Sequence, residues 1–273
     1  MNISEIAPAI RAGLAFWRTA LTRLWGALAL VTLVSLAGVA ETAAGVGWEW
    51  RLVTSLVEIA ATVVAFGALF RLAVAGDGVS DRPGPAGLQW TRVEWRIAGA
   101  FALTFFLILL IALAVVFLIL LLIAVLYVGF GSGATPAKGF MGSPAGQATL
   151  WFGGAGGIVL LWVLARLSLS IPATVHRGAV QVFSTWPLTR GRALLLVIVA
   201  VLLGIPIFLR LGLPMLIPNT VAASVDNADG SATLSTGLRV FASLLGGVFQ
   251  LPVLAGTLAL IYRSAADSES DLA

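Results

Sequence analysis

IAGAFALTFFLILLIALAVVFLILLLIAVLYV, residues 97–128, runs for thirty-two residues without one charged side chain. More than about 18 apolar residues in a row is the length at which a helix crosses a bilayer. At 1.5 Å per residue this stretch would reach roughly 45 Å, beyond the ~30 Å hydrocarbon core, so it must tilt, bend or project. It is too short to form two spans. The surrounding composition agrees, with 60% hydrophobic and 10% charged residues and a mean hydropathy of +1.05. Soluble domains carry about a quarter charged residues.

Apolar windows bounded by charges or turn residues place six spans near 24–44, 52–72, 97–128, 151–171, 193–213 and 239–262. The expected fold is therefore an all-α polytopic membrane protein with six transmembrane helices and short interfacial amphipathic helices, in one domain covering 1–273. An even number of spans puts both termini on one side. With the termini inside, the inner segments hold Arg11, Arg18, Arg23, Arg71, Arg82, Arg92, Arg96, Arg166, Arg177, Arg190, Arg192 and Arg263, and the outer ones hold Arg51, Lys138, Arg210 and Arg239. That asymmetry predicts cytoplasmic termini under the positive-inside rule. Arginine far outnumbers lysine and alanine and glycine are abundant, as in a GC-rich bacterium, so the expected location is a bacterial inner membrane. The first apolar run follows three arginines and lacks a small-residue cleavage site, so no signal peptide is expected. The net charge of +4 is spread between spans rather than gathered on one solvated face, and no nucleic-acid partner is implied. Cysteine is absent, which excludes disulfides, thiolate metal sites and cysteine nucleophiles.

At the N-terminus, Ile6, Ile10, Leu14, Trp17, Leu21 and Leu24 recur at helical spacing opposite Arg11, Arg18 and Thr22, predicting an interfacial helix over 4–22. A similar unit, GLQWTRVEWR at 87–96, precedes the third span. A third, striped by Val175, Ala179, Phe183 and Trp186, precedes the fifth. Each unit ends in a basic residue (Arg23, Arg96, Arg192), and the returning spans end in Arg71, Arg166 and Arg263. This spacing reads as three parallel pseudo-repeats of interfacial helix, outward span and return span. Anchoring alone also favours arginine and tryptophan at these depths.

Within IPATVHRGAVQVFSTWPLTRGR, residues 171–192, the positions Pro172, Ala173, Val175, Trp186, Leu188, Thr189, Arg190 and Gly191 match a P-A-x-V... S-W-x-L-T-R-G pattern. The segment resembles bacterial inner-membrane proteins related to the glycerophosphodiester phosphodiesterase membrane-domain family. It departs at Thr185, Arg177 and Pro187. The resemblance implies a helical membrane domain, in some members fused to a soluble phosphodiesterase. Because no soluble domain follows Arg263 in this sequence, phosphodiesterase activity is not carried over.

Two sites stand out by chemistry. Trp186 with Arg177, Arg190 and Arg192 suits the headgroup layer and could clasp a lipid phosphate, although plain topological anchoring explains the same residues. Glu58 lies inside the second span, where a charged carboxylate is costly unless compensated. An ion pair with Arg210 is the first expectation, and a protonatable relay lined also by Gln250 is the functional alternative. His176 is the only histidine, so a histidine-rich metal site is impossible, and Asn227, Asp229 and Gly230 lack the first aspartate and closing glutamate of a calcium loop. Gly153, Gly154, Gly156 and Gly157, with Gly246 and Gly247, are expected to let helices pack closely. The outer loop 129–149 reads as glycine-rich and mobile, and the acidic tail 264–273 as a solvated end. No nucleophile elbow, P-loop or zinc-protease motif appears, so a non-enzymatic protein without metal or cofactor is expected. Its partners would be membrane lipids and a protein partner or a second copy. It is read as an accessory or scaffold component, or alternatively as a transporter of a lipid or small solute using Glu58, Gln250, Pro206 and Pro252.

Overall fold

Hydropathy of this kind forces the backbone to satisfy its own hydrogen bonds, and helices do so within one segment. In the computed structural model, which describes residues 6–75, 84–130, 144–190, 192–201 and 228–270, every described element is helical. The order is α1 (Ile6–Arg23), α2 (Trp25–Ala43), α3 (Trp48–Ala75), α4 (Arg92–Phe130), α5 (Pro144–Leu167), α6 (Ser170–Arg177), α7 (Ala193–Val201), α8 (Ala228–Leu244), a π-turn (Leu245–Gln250) and α9 (Leu251–Ser270). Five segments are long and apolar enough to cross a membrane: Trp25–Ala43, Trp48–Val74, Arg92–Val125, Trp151–Arg177 and Thr236–Asp267. A sixth is reached if the bent pair Phe183–Thr189 and Ala193–Val201 counts as one span. The second half of the expected fifth span, with Pro206 and Arg210, lies outside the described residues.

Helices α2 and α3 form a hairpin. The N–H of Gly45 donates to the Thr42 carbonyl and that of Val46 to the Glu41 carbonyl, a Schellman motif whose left-handed residue is Gly45 at φ 65°. The Thr54 hydroxyl donates to the Glu41 carboxylate and ties the two helices beside this turn. The core lies between α2, α3 and α9, around Leu28, Leu69, Phe70, Ala255 and Tyr262, with Leu195, Leu196 and Val199 of α7 added to it. Helix α4, 39 residues or roughly 58 Å long, touches the core only near its start, where Phe101 meets Phe66. Its first turns also lie against α6, and it packs on α5 through Ala100, Val163 and Leu167, joined by Val182, and through the contact of Val115 with Gly156. None of its most apolar window is buried.

Several expectations change. The N-terminal helix Ile6–Arg23 falls within one residue of the expected 4–22 at its end, and of its apolar stripe Trp17 and Leu21 pack on the bundle whereas Leu14 is exposed. Its buried residues are Ala9, Gly13 and Ala20, and they lie against α9, where a Cβ on Gly13 would come within 2.6 Å of the Val253 carbonyl. Small residues win because they let two backbones approach closely. The unit 87–96 is not a separate interfacial helix, since α4 already starts at Arg92. Nor do Val175, Ala179, Phe183 and Trp186 share one helix, because α6 stops at Gly178, φ 63°, and two 3-10 turns, Phe183–Thr185 and Pro187–Thr189, follow. Pro172 falls in the first turn of α6, where proline is tolerated, after α5 has ended at Leu167, so the fourth span is interrupted at residues 168–169 ahead of its proline. Helix runs to Phe130 and again from Pro144, inside the segment expected as a loop, whose residues 131–143 lie outside the described residues, and the tail continues α9 to Ser270.

Candidate functional site

The start of α4 reads Trp90-Thr91-Arg92-Val93-Glu94-Trp95, and its local chemistry is that of a capping box. Thr91 is the cap: its hydroxyl accepts from the Val93 N–H at 3.2 Å, and the Glu94 carboxylate accepts from the Thr91 N–H and hydroxyl, each at 2.6 Å. Trp90 and Trp95 meet edge to face with centroids 5.3 Å apart, in the positions of a hydrophobic staple. Into this cap reaches Arg71, from the last turns of α3. It ion-pairs with Glu94 and donates to the Thr91 hydroxyl at 3.3 Å. Both partners are buried, Arg71 to 3% and Glu94 to 0% exposure. Gly67 makes the room, since a Cβ there would lie 2.5 Å from Glu94 Oε1.

Arg166, near the end of α5, repeats the gesture on the next turn of chain. It donates to the Trp186 carbonyl at 3.2 Å and the Thr189 hydroxyl at 3.0 Å, partners 20 and 23 residues downstream. Arg71 reaches partners at the same two separations, Thr91 and Glu94. The Arg166 guanidinium is also flanked by the rings of Trp162 and Trp186, at 5.0 and 5.3 Å. Arg263 of α9 donates to the Val74 carbonyl at 2.8 Å and to that of Ala73, two of the last acceptors of α3, where a cation also complements the helix dipole. Arg192 donates to the carbonyls of Ser264 at 2.9 Å and Ile261 at 3.4 Å. His176 Nδ1 lies 3.1 Å from the Tyr262 hydroxyl. Four guanidinium groups thus tie α3 to α4, α5 to the 183–189 turns, the start of α7 to α9, and α9 to α3. This belt closes one end of the bundle.

The expected headgroup residues divide accordingly. Arg177 and Arg190 are exposed, Trp186 is partly exposed and stacked on Arg166, and Arg192 points into α9. Glu58 is half-buried on α3, its carbonyl accepting from the Thr62 hydroxyl at 2.7 Å, and the expected pair with Arg210 lies outside the described residues. Gln250 is buried in the π-turn. There Pro252 cannot donate to the carbonyl four residues back, that of Val248, and the Trp17 indole N–H donates to it at 2.9 Å. Of the expected close-packing glycines, Gly156 meets Val115 and Gly247 meets Thr32, whereas Gly153, Gly154 and Gly157 face open space. Sequence reading singled out Arg71 and Arg166 as markers but missed Glu94. The T-x-x-E spacing just ahead of the apolar run was its signal. Among the described residues no three His, Cys, Asp or Glu side chains gather to hold a metal ion.

Comparison with models of known families, with curated proteins and with solved structures finds no match, so the resemblance of residues 171–192 stays with the residues that carry it.

Proposed function

We propose that this chain is a non-enzymatic accessory or scaffold component of a bacterial inner membrane, with six spans, cytoplasmic termini and its arginine belt at the cytoplasmic rim. The observation that carries the reading is the division of labour between the two ends of α4. At its base, Arg71, Glu94 and Thr91 fix the helix rigidly to α3, and along its length Phe105, Leu113 and Phe117 stand 57–68% exposed. A fixed base under a long exposed apolar hairpin is the shape of a docking arm for another membrane component. Hydrogen bonds to charged groups contribute about 1.5–3 kcal/mol each, so the belt supplies the rigidity such an arm needs. The equal separations of the Arg71 and Arg166 contacts support the pseudo-repeat arrangement of this reading. Buried Gln250 beside a π-turn is the feature that favours transport as a second reading. In that case Gln250→Leu abolishes solute uptake while leaving the protein folded.

The test is site-specific photocrosslinking in the native membrane. A photoreactive residue at Phe105 or Phe117 should give one stoichiometric protein adduct, and the same residue at buried Phe70 should give none. Adducts to lipid only, from every α4 position, would refute the scaffold reading.

A further inference from the structure

The exposed cation at the foot of α4 has a chemistry of its own. Glu94 and Arg92 are two residues apart, roughly 200° around the helix. Glu94 is turned inward and spent on Arg71 and Thr91, which leaves Arg92 exposed with no carboxylate partner among the described residues. Beside it stand the Trp90 and Trp95 rings, 43% and 66% exposed. From Arg92 a stripe climbs the helix at three- and four-residue steps through Trp95, the half-buried Gly99, Leu103, Phe106, Leu110 and Leu113, its large residues all exposed. A positive group, a pair of amphipathic rings at headgroup level and a continuous apolar track above them match the parts of one ligand class in the right order.

We propose that the foot of α4 is a specific site for an anionic phospholipid, with the phosphate on Arg92, the glycerol region between Trp90 and Trp95, and an acyl chain along Leu103, Phe106 and Leu110. The capping box and staple hold Arg92 and both rings in fixed places before the lipid arrives, so the site loses little conformational entropy on binding. The inference needs no protein partner. A missing crosslink at Phe117 leaves it intact, and its own failure leaves the scaffold reading intact.

Native mass spectrometry of the intact protein in mild detergent, titrated with phosphatidylglycerol or with phosphatidylcholine of the same chains, tests it. One phosphatidylglycerol should be held more tightly than any phosphatidylcholine. Arg92→Gln should weaken it about fivefold, the effect of one basic residue near an anionic surface, while Arg92→Lys retains it and Arg18→Gln, a loss of exposed charge on α1, changes nothing. A phosphatidylglycerol carrying a photoreactive acyl chain should label the peptide containing Leu103–Leu113. Equal retention of both lipids, equal loss in Arg92→Gln and Arg18→Gln, or labelling confined to other helices would overturn the proposal.

Discussion

Replacing Glu94 by glutamine keeps the side chain's shape and one oxygen to accept the Thr91 N–H, and removes the charge and the second acceptor, so that an amide NH2 faces Arg71. Arg71, 3% exposed, is then a buried guanidinium without a counter-ion. Breaking a buried pair on one side costs about 3–5 kcal/mol, because the desolvation of the remaining charge is no longer compensated. Arg71→Met leaves the mirror defect, a buried carboxylate held only by Thr91, at a similar cost. The double variant Arg71→Met/Glu94→Gln carries neither charge and keeps the cap, so it should fall only ~1 kcal/mol below the parent. The coupling between the two sites would then amount to at least about 5 kcal/mol, well above the scatter of additive pairs. Unfolding titrated with sodium dodecyl sulfate in mixed micelles, followed by the fluorescence of the nine tryptophans, measures all four proteins on one scale. If the two single losses simply add in the double variant, or if Glu94→Gln lies within about 1 kcal/mol of the parent, the belt does not depend on this pair and the reasoning is wrong.

Gly67→Ala pushes a methyl against Glu94 and should cost about 1–3 kcal/mol in the same titration, with the loss relieved when Glu94 is shortened to aspartate. Trp17→Phe keeps most of the ring and leaves the Val248 carbonyl unsatisfied next to Pro252, so a loss of roughly 1–3 kcal/mol is expected, and no loss would mean the π-turn needs no donor. Arg166→Lys preserves charge but not the planar stack between Trp162 and Trp186. It should lower stability by about 1 kcal/mol and alter tryptophan emission, whereas unchanged emission would show the stack to be unimportant.

The spans were legible because a bilayer reads mean hydropathy, and Trp25–Ala43, Trp48–Ala75 and Arg92–Phe130 fall close to the apolar windows. Their ends were less so, since α4 begins before its apolar run where Thr91 and Glu94 make a cap, and a sequence window averages that cap away. The arginines at 71, 166, 192 and 263 were visible as markers of depth, but their partners were not. Three of the four bind backbone carbonyls, which every residue has and no sequence pattern distinguishes. The face of α1 that packs on α9 was not legible for a different reason. Amphipathic patterning weights large residues, and close helix contact inside a membrane selects small ones, here Ala9, Gly13 and Ala20.

That packing of α1 on α9 also sets an order of events during synthesis. Trp17 and the Val248 carbonyl that it satisfies are 231 residues apart in the chain. At about 5–20 residues per second the first helix waits roughly ten to fifty seconds on the ribosome before its partner is made. During that interval α1 has only its smaller contacts with α2 and α3 to rest on. The native seating of α1 therefore comes late, when α9 arrives and packs against α1, α3 and α7 together.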